Sequence, residues 1–179
     1  LDVAESATQG EMATYYPLAL KSFISRGIEL ELLAPNLADY DLDMLGEALL
    51  PERDLQFSYL GLQTLYDRYF IHSDETRFEL PQLFFMRVAM GLAMREDDKN
   101  ARAIEFYQLL SSFDYMSSTP TLFNSGTLRP QLSSCYLTTV PDDLHGIYGA
   151  IQDNAMLSKF AGGLGNDWTP VRALGAYIK

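Results

Sequence analysis

The segment running from Pro81 to Met94, PQLFFMRVAMGLAM, constrains the fold more than any other part of the chain. Pro81 suits the first turn of a helix, where a missing N–H costs nothing. Wound at 3.6 residues per turn, Leu83, Phe84, Phe85, Met86, Val88, Ala89, Met90 and Leu92 cover nearly its whole circumference. A helix that is apolar all round must be wrapped by other elements on most sides. A chain of 179 residues, 47% hydrophobic and 21% charged, has the material to do this around one substantial core with room for a subdomain.

The wrapping elements are legible as helices. The pattern is helical from about Glu11 to Leu33, with Pro17 expected in a first turn and Gly27 expected to end or kink the helix. A short helix is expected between Asp41 and Leu50, bounded by Pro35-Asn36 and Pro51. Within Ser58 to Tyr69, residues Leu62, Leu65, Tyr66 and Tyr69 share one face. Two aromatic-containing runs around a polar turn, Tyr69 to Glu79, predict a small hairpin. After a charged loop, Asn100 to Phe113 closes the set. The expected organisation is a loose lead-in over 1–14, a helical domain over 15–116, and a different kind of structure over 117–179.

That difference begins at Ser117. The run SSTPTLFNSG is too rich in hydroxyls and turn formers for a regular amphipathic helix. LSSCYLTTV, Leu132 to Val140, is the best strand candidate, and a helix is expected from about Gly146 to Phe160. The cluster Gly162-Gly163-Leu164-Gly165 reads as a helix-ending loop or as a place where a ligand meets backbone. The fold class is therefore mainly α, with a small hairpin and then one strand and one helix.

Charge and composition exclude several functions. Lys+Arg 13 against Asp+Glu 24 gives a net charge of −11, which repels nucleic-acid backbones, so no nucleic-acid partner is expected. No apolar run approaches the roughly 18 residues that span a bilayer, so no membrane partner is expected. A single cysteine makes neither an internal disulfide nor a thiolate metal site, and a reducing compartment, the cytoplasm, is expected. His72 and His145 are far apart and match no metal-binding spacing, so no metal is expected in this chain. The opening Leu1 points to processing, or to excision from something longer.

Each candidate functional residue carries a bland alternative. Cys135 is either an inert buried hydrophobe or a redox-active thiol among hydroxyls. Thr119, Thr121, Ser125, Ser133 and Ser134 cap loops or cradle phosphate. Asp142 and Asp143 precede a helix, where carboxylates cap free N–H groups. Arg172 and Lys179 either face solvent or hold an anion near the glycine-containing loop.

The runs SSTPTLFNSGTLRPQLSSCYL, PDDL, SKFAGGLGNDW and VRALGAYIK, with FELPQLFFMRVAMGLA and ARAIEFYQLLSSFDYMSSTPT before them, resemble the large (α) subunit of class I ribonucleotide reductase. The likeness covers nearly the whole chain and is weak only before about Tyr15. It implies a helical bundle followed by the first strand and helix of an incomplete α/β barrel. It implies that Cys135 is one of two cysteines that reduce the ribose and become a disulfide. It further implies that Thr119, Ser134 and Gly163 line the ribonucleoside diphosphate site. Asp142, Asp143, Leu144, Arg172 and Lys179 would belong to a site where a deoxynucleoside triphosphate or ATP acts as effector at an α homodimer interface. The implied partners are a small β subunit, whose metal centre supplies a radical, and thioredoxin or glutaredoxin.

The family's radical-forming cysteine, its disulfide partner and its C-terminal relay cysteines have no counterpart here, and the basic opening motif of an ATP-cone is not seen. The chain is therefore expected to be a piece, inactive alone. Two further readings remain at this stage: a non-catalytic nucleotide-binding or dimerisation module, and a helical interaction protein with Cys135 in its core.

Overall fold

The computed structural model describes residues 9–74, 76–160 and 162–177. The chain divides into two compact units between Leu132 and Ser133.

The first unit is helical: α1 (Gln9–Glu29), α2 (Leu42–Glu47), α3 (Tyr59–Arg68), a hairpin of β1 (His72–Ser73) and β2 (Thr76–Arg77), α4 (Pro81–Ala93), α5 (Lys99–Ser111) and α6 (Thr119–Asn124). Two 3₁₀ turns, Pro35–Asp39 and Pro51–Gln56, each open on proline. Helix α4 is buried as its composition demands, with every residue from Gln82 to Met90 inside. Around it pack Tyr16, Leu20, Phe23 and Ile24 of α1, Leu45 of α2, and Ala103, Tyr107 and Leu110 of α5. Asp41, Ser58 and Asp98 cap α2, α3 and α5 by accepting from backbone N–H groups of the first turn.

Several expectations are corrected. Helix α1 begins at Gln9, so part of the supposed lead-in is helical; residues 1–8 lie outside the described residues. Pro17 therefore sits inside α1, not in its first turn. The buried stripe Tyr16, Leu20, Phe23 and Ile24 holds the helix across the lost hydrogen bond. Gly27 neither ends nor breaks α1, which continues to Glu29; its carbonyl instead accepts from the N–H groups of Leu32 and Leu33 as the chain turns away.

The hydroxyl-rich run after Ser117 holds a six-residue helix, α6, opened by Ser118 and Pro120. It belongs to the helical unit, which therefore extends past the compositional change at Ser117. The reason is a buried ion pair. Arg87 Nε lies 2.7 Å from Glu79 Oε1, and the guanidinium also donates to the carbonyls of Leu122 and Ser125. Ser125 Oγ in turn donates to the Val88 carbonyl. Gly126 (φ 77°) makes the turn, and the bare α-carbon of Gly91 admits it against α4.

The second unit holds β3 (Cys135–Thr139), α7 (Leu144–Lys159) and β4 (Gly163–Asp167). The two strands are parallel, with Cys135 opposite Gly163 and Leu137 opposite Gly165. The glycine cluster is thus largely a strand, not a loop, and gives β3 a parallel partner. Each glycine leaves room for a neighbour on β3: a Cβ at Gly165 would lie 2.8 Å from Leu137 Cδ2, and one at Gly162 equally close to the Tyr136 ring. Strand–helix–strand with a parallel pair is the repeating unit of α/β folds. Among the described residues the sheet is not closed.

Candidate active site and effector cleft

Residues alternate sides along β3. Tyr136 and Thr138 are half-buried, and Thr138 is tied to α7 through its hydroxyl, 3.4 Å from Asn154 Oδ1. Asn154 also donates to Asn166 Oδ1 on β4 at 2.8 Å. Helix α7 therefore covers the side of the sheet bearing Thr138 and Asn166. Cys135, Leu137 and Thr139 point the other way and are exposed, Leu137 at 93%. In a barrel built of such units the helices lie outside and the uncovered side faces the interior.

Cys135 is thus a free, exposed thiol on the uncovered face. Within the described residues it is not part of the packed core. Ser134 Oγ lies 3.8 Å from its sulfur, and Ser134 O accepts from the Gly163 N–H at 2.6 Å. A Cβ at Gly163 would sit 3.8 Å from the sulfur and 3.3 Å from Ser134 O, so glycine keeps the space beside the thiol open. Ser134, Cys135 and Gly163 are brought together. Thr119 belongs to the other unit, where it opens α6 with its hydroxyl 3.4 Å from that of Tyr69.

At the opposite ends of the same strands, the segments following β3 and β4 meet. Arg172 Nε donates to Asp142 Oδ2 at 2.8 Å and Oδ1 at 3.0 Å, and the Arg172 N–H donates to Oδ1 at 3.2 Å. The two Nη groups donate to the carbonyls of Tyr177 (2.9 Å) and Asp142 (3.2 Å). These bonds hold the Asp142 carboxyl below the usual carboxylate range. A cleft of about 370 Å³ adjoins the pair, lined also by Asp143, Leu144, Ile147 and Leu174. Asp143 is the N-cap of α7, its Oδ1 accepting from the Gly146 N–H at 2.8 Å. Leu144 is exposed, and Lys179 lies outside the described residues.

The direct bonding of Asp142 to Arg172 was not legible: the sequence placed both near a ligand, not on each other. The part of Tyr177 left no signal, because only its backbone carbonyl is used. Asn154 did leave one, as an amide in the middle of a largely apolar helix. Among the described residues no group of three or more His, Cys, Asp or Glu could hold a metal ion. No described helix is long and apolar enough to cross a membrane.

Residues 55–130 match the family model described as the all-alpha domain of ribonucleotide reductase, and residues 133–179 match its barrel domain. The boundary between the two falls where the structure divides. The chain is 64% identical over 148 residues to the ribonucleoside-diphosphate reductase subunit alpha of Chlamydia muridarum, covering 82% of this chain and 14% of that protein. It is 48% identical over 140 residues to the Helicobacter pylori subunit alpha, covering 78% of this chain and 18% of that protein. With the Schizosaccharomyces pombe large chain it shares 42% identity over 153 residues, 81% of this chain and 18% of that one. The chain thus spans less than a fifth of the length of these relatives. It belongs to the ribonucleotide reductase large-subunit family, and holds sequence of that family's all-alpha domain and of its barrel domain.

Proposed function

We propose that this chain supplies the helical domain and the opening strand–helix–strand of a ribonucleoside-diphosphate reductase α subunit, with Cys135 as one of its two reducing thiols. The observation that carries the proposal is the exposed sulfur on the uncovered sheet face, flanked by a hydroxyl and a glycine. Two thiols give up two electrons and two protons and join as a disulfide. The C2′–O bond of the ribose breaks, a C2′–H bond forms, and the hydroxyl leaves as water. Cys135 is the one cysteine among the 179 residues, so its mate comes from other polypeptide.

Ser134 and Gly163 line the sugar beside the sulfur, and Thr119 is the substrate-contacting hydroxyl that the family resemblance implies in the helical unit. Asp142 takes a sugar hydroxyl of a deoxynucleoside triphosphate or ATP effector, and Arg172 its phosphates. Asp143, Leu144 and Lys179 complete that site at an α–α interface. A small β subunit provides the radical from its metal centre, and thioredoxin or glutaredoxin resets the disulfide in the cytoplasm. Joined to the remaining α polypeptide, the chain is expected to support turnover with a dithiol reductant, and Cys135→Ser to abolish it. Full turnover by the serine variant would overturn the role of Cys135. The 179-residue chain alone is expected to show no reduction.

A second reading, a nucleotide-binding or dimerisation module without catalysis, is favoured by the cleft at Arg172 and by exposed Leu144, Tyr148 and Ile151 along α7. Calorimetry with deoxynucleoside triphosphates tests it: binding that vanishes in Arg172→Ala supports it, and no binding at millimolar ligand excludes it.

A further inference from the structure

Arg172 is fully oriented by partners within its own unit. Its Nε faces the Asp142 carboxylate, and each Nη group has one bond to a backbone carbonyl, of Tyr177 or of Asp142 itself. A guanidinium carries five N–H donors, so each Nη keeps one N–H on which an incoming anion can first engage before it competes with Asp142 for the rest. The contact is half-open to solvent, with side-chain exposures of 38% for Arg172 and 34% for Asp142, and it stands at the wall of the 370 Å³ cleft. An ion pair in such a position is worth little and exchanges readily.

We infer that Asp142 acts as a selectivity gate on Arg172, admitting anions that bring a hydroxyl donor and disfavouring bare polyphosphate. The inference rests on the effector reading of this cleft and deepens it. An anion approaching Arg172 competes with the carboxylate for the same charge and meets its repulsion. A ligand that also carries a sugar hydroxyl gives Asp142 a new hydrogen-bond donor in exchange for the one it loses. A polyphosphate without a sugar leaves Asp142 negative, displaced and uncompensated beside the phosphates. The loop from Val171 to Tyr177, pinned through the Tyr177 carbonyl, is released when Arg172 turns to the ligand.

The test uses tripolyphosphate and a deoxynucleoside triphosphate on the 179-residue chain, with folding of each variant checked by circular dichroism. Asp142→Asn keeps the shape and removes the charge; it is expected to bind tripolyphosphate about fivefold more tightly than the parent and the deoxynucleotide no better. Arg172→Ala is expected to lose both. Asp153→Asn, which removes a charge from α7 outside the cleft, controls for net charge and is expected to leave tripolyphosphate affinity unchanged. Unchanged or weaker tripolyphosphate binding by Asp142→Asn overturns the gate, as does an equal gain in Asp153→Asn, or no measurable binding by any variant. Deoxynucleotide binding by the parent without a gain in Asp142→Asn sinks the gate and spares the effector site. A gain with no deoxynucleotide binding overturns both, since the gate must admit an anion that brings a hydroxyl.

Discussion

Two of the arginine–carboxylate pairs among the described residues are of nearly the same length and opposite character. Arg87–Glu79 in the helical unit is 2.7 Å long, with both side chains fully buried; Arg172–Asp142 in the strand unit is 2.8 Å long, with both side chains more than a third exposed. Glu79 is also held by the Ile71 N–H, and Arg87 by the carbonyls of Leu122 and Ser125, so every strong partner of the buried pair is protein. A pair like that fixes a fold, because removing either half strands the other in a dry interior. The exposed pair has solvent and a cleft beside it, and loses little when it opens. One geometry thus serves as a fixture in one unit and as an exchangeable contact in the other.

The sharpest way to break this comparison is Arg87→Met. It leaves Glu79 without its counter-charge and the 122–125 carbonyls without a donor. A loss of about 3–5 kcal/mol in urea unfolding of the helical unit is expected. The double variant Glu79→Gln/Arg87→Met should be more stable than Arg87→Met alone, since no charge is left stranded. A loss near zero for Arg87→Met would remove the distinction between the two pairs. Gly91→Ala probes the same fixture from the backbone side. Its Cβ would fall 2.2 Å from both the Gly126 nitrogen and Ser125 Oγ, so the turn must move off α4. A loss of about 1–3 kcal/mol is expected in the same measurement.

A second buried cluster sharpens the contrast through pH. Asp54 accepts from the Tyr16 hydroxyl at 2.5 Å and from Gln82 Nε2 at 2.7 Å, while Tyr107 donates to Gln82 Oε1 at 2.6 Å. Burial raises the Asp54 carboxyl above its usual range despite these donors, and raises the Tyr107 hydroxyl to about 12. With a raised value in the fold, the native state holds the proton longer than the unfolded chain does. Stability from this group is therefore lost as pH climbs from the unfolded value of about 4 through the folded one. Asp54→Asn should remove that slope. The difference between the unfolding midpoints of variant and parent, followed from pH 4 upward, should grow in the variant's favour and then level off. A difference independent of pH would mean that Asp54 stays ionised throughout.

What the sequence revealed follows from where information is local. Helix α4 was legible because its apolar residues leave no polar face, and α3 and the hairpin because periodicity and turn residues lie within a few positions. Pro17 was misplaced because its local rule was overruled by packing along α1. The strand in the glycine cluster was missed because glycine has no strand preference of its own; register against Cys135–Thr139 makes it one. The end of the helical unit at Leu132 was hidden because Arg87, far back in the chain, holds the hydroxyl-rich segment there. Cys135 stood out only by its neighbours and by resemblance; its exposure needed the placement of α7 on the other side of the sheet.

The smallest expected effect concerns the exposed pair and is read at one atom. The Arg172 N–H donates to Asp142 Oδ1, so its amide resonance reports the charge on that carboxylate. Because the folded-state value of Asp142 is depressed, the pair's contribution is present above the unfolded value of about 4 and fades as pH falls through the folded one. The resonance should therefore titrate below the ordinary carboxylate range. In Arg172→Ala the amide at position 172 should titrate closer to that range, while the Thr169 amide, which reports Asp167 through its own hydrogen bond at 2.9 Å, should not shift its midpoint. Unfolding of the helical unit should be unaffected by the substitution, unlike the loss expected at Arg87. If the 172 midpoint did not rise, the depression would have to come from backbone donors alone. The carboxylate would then have no electrostatic hold on the guanidinium, and the second half of the comparison would fail.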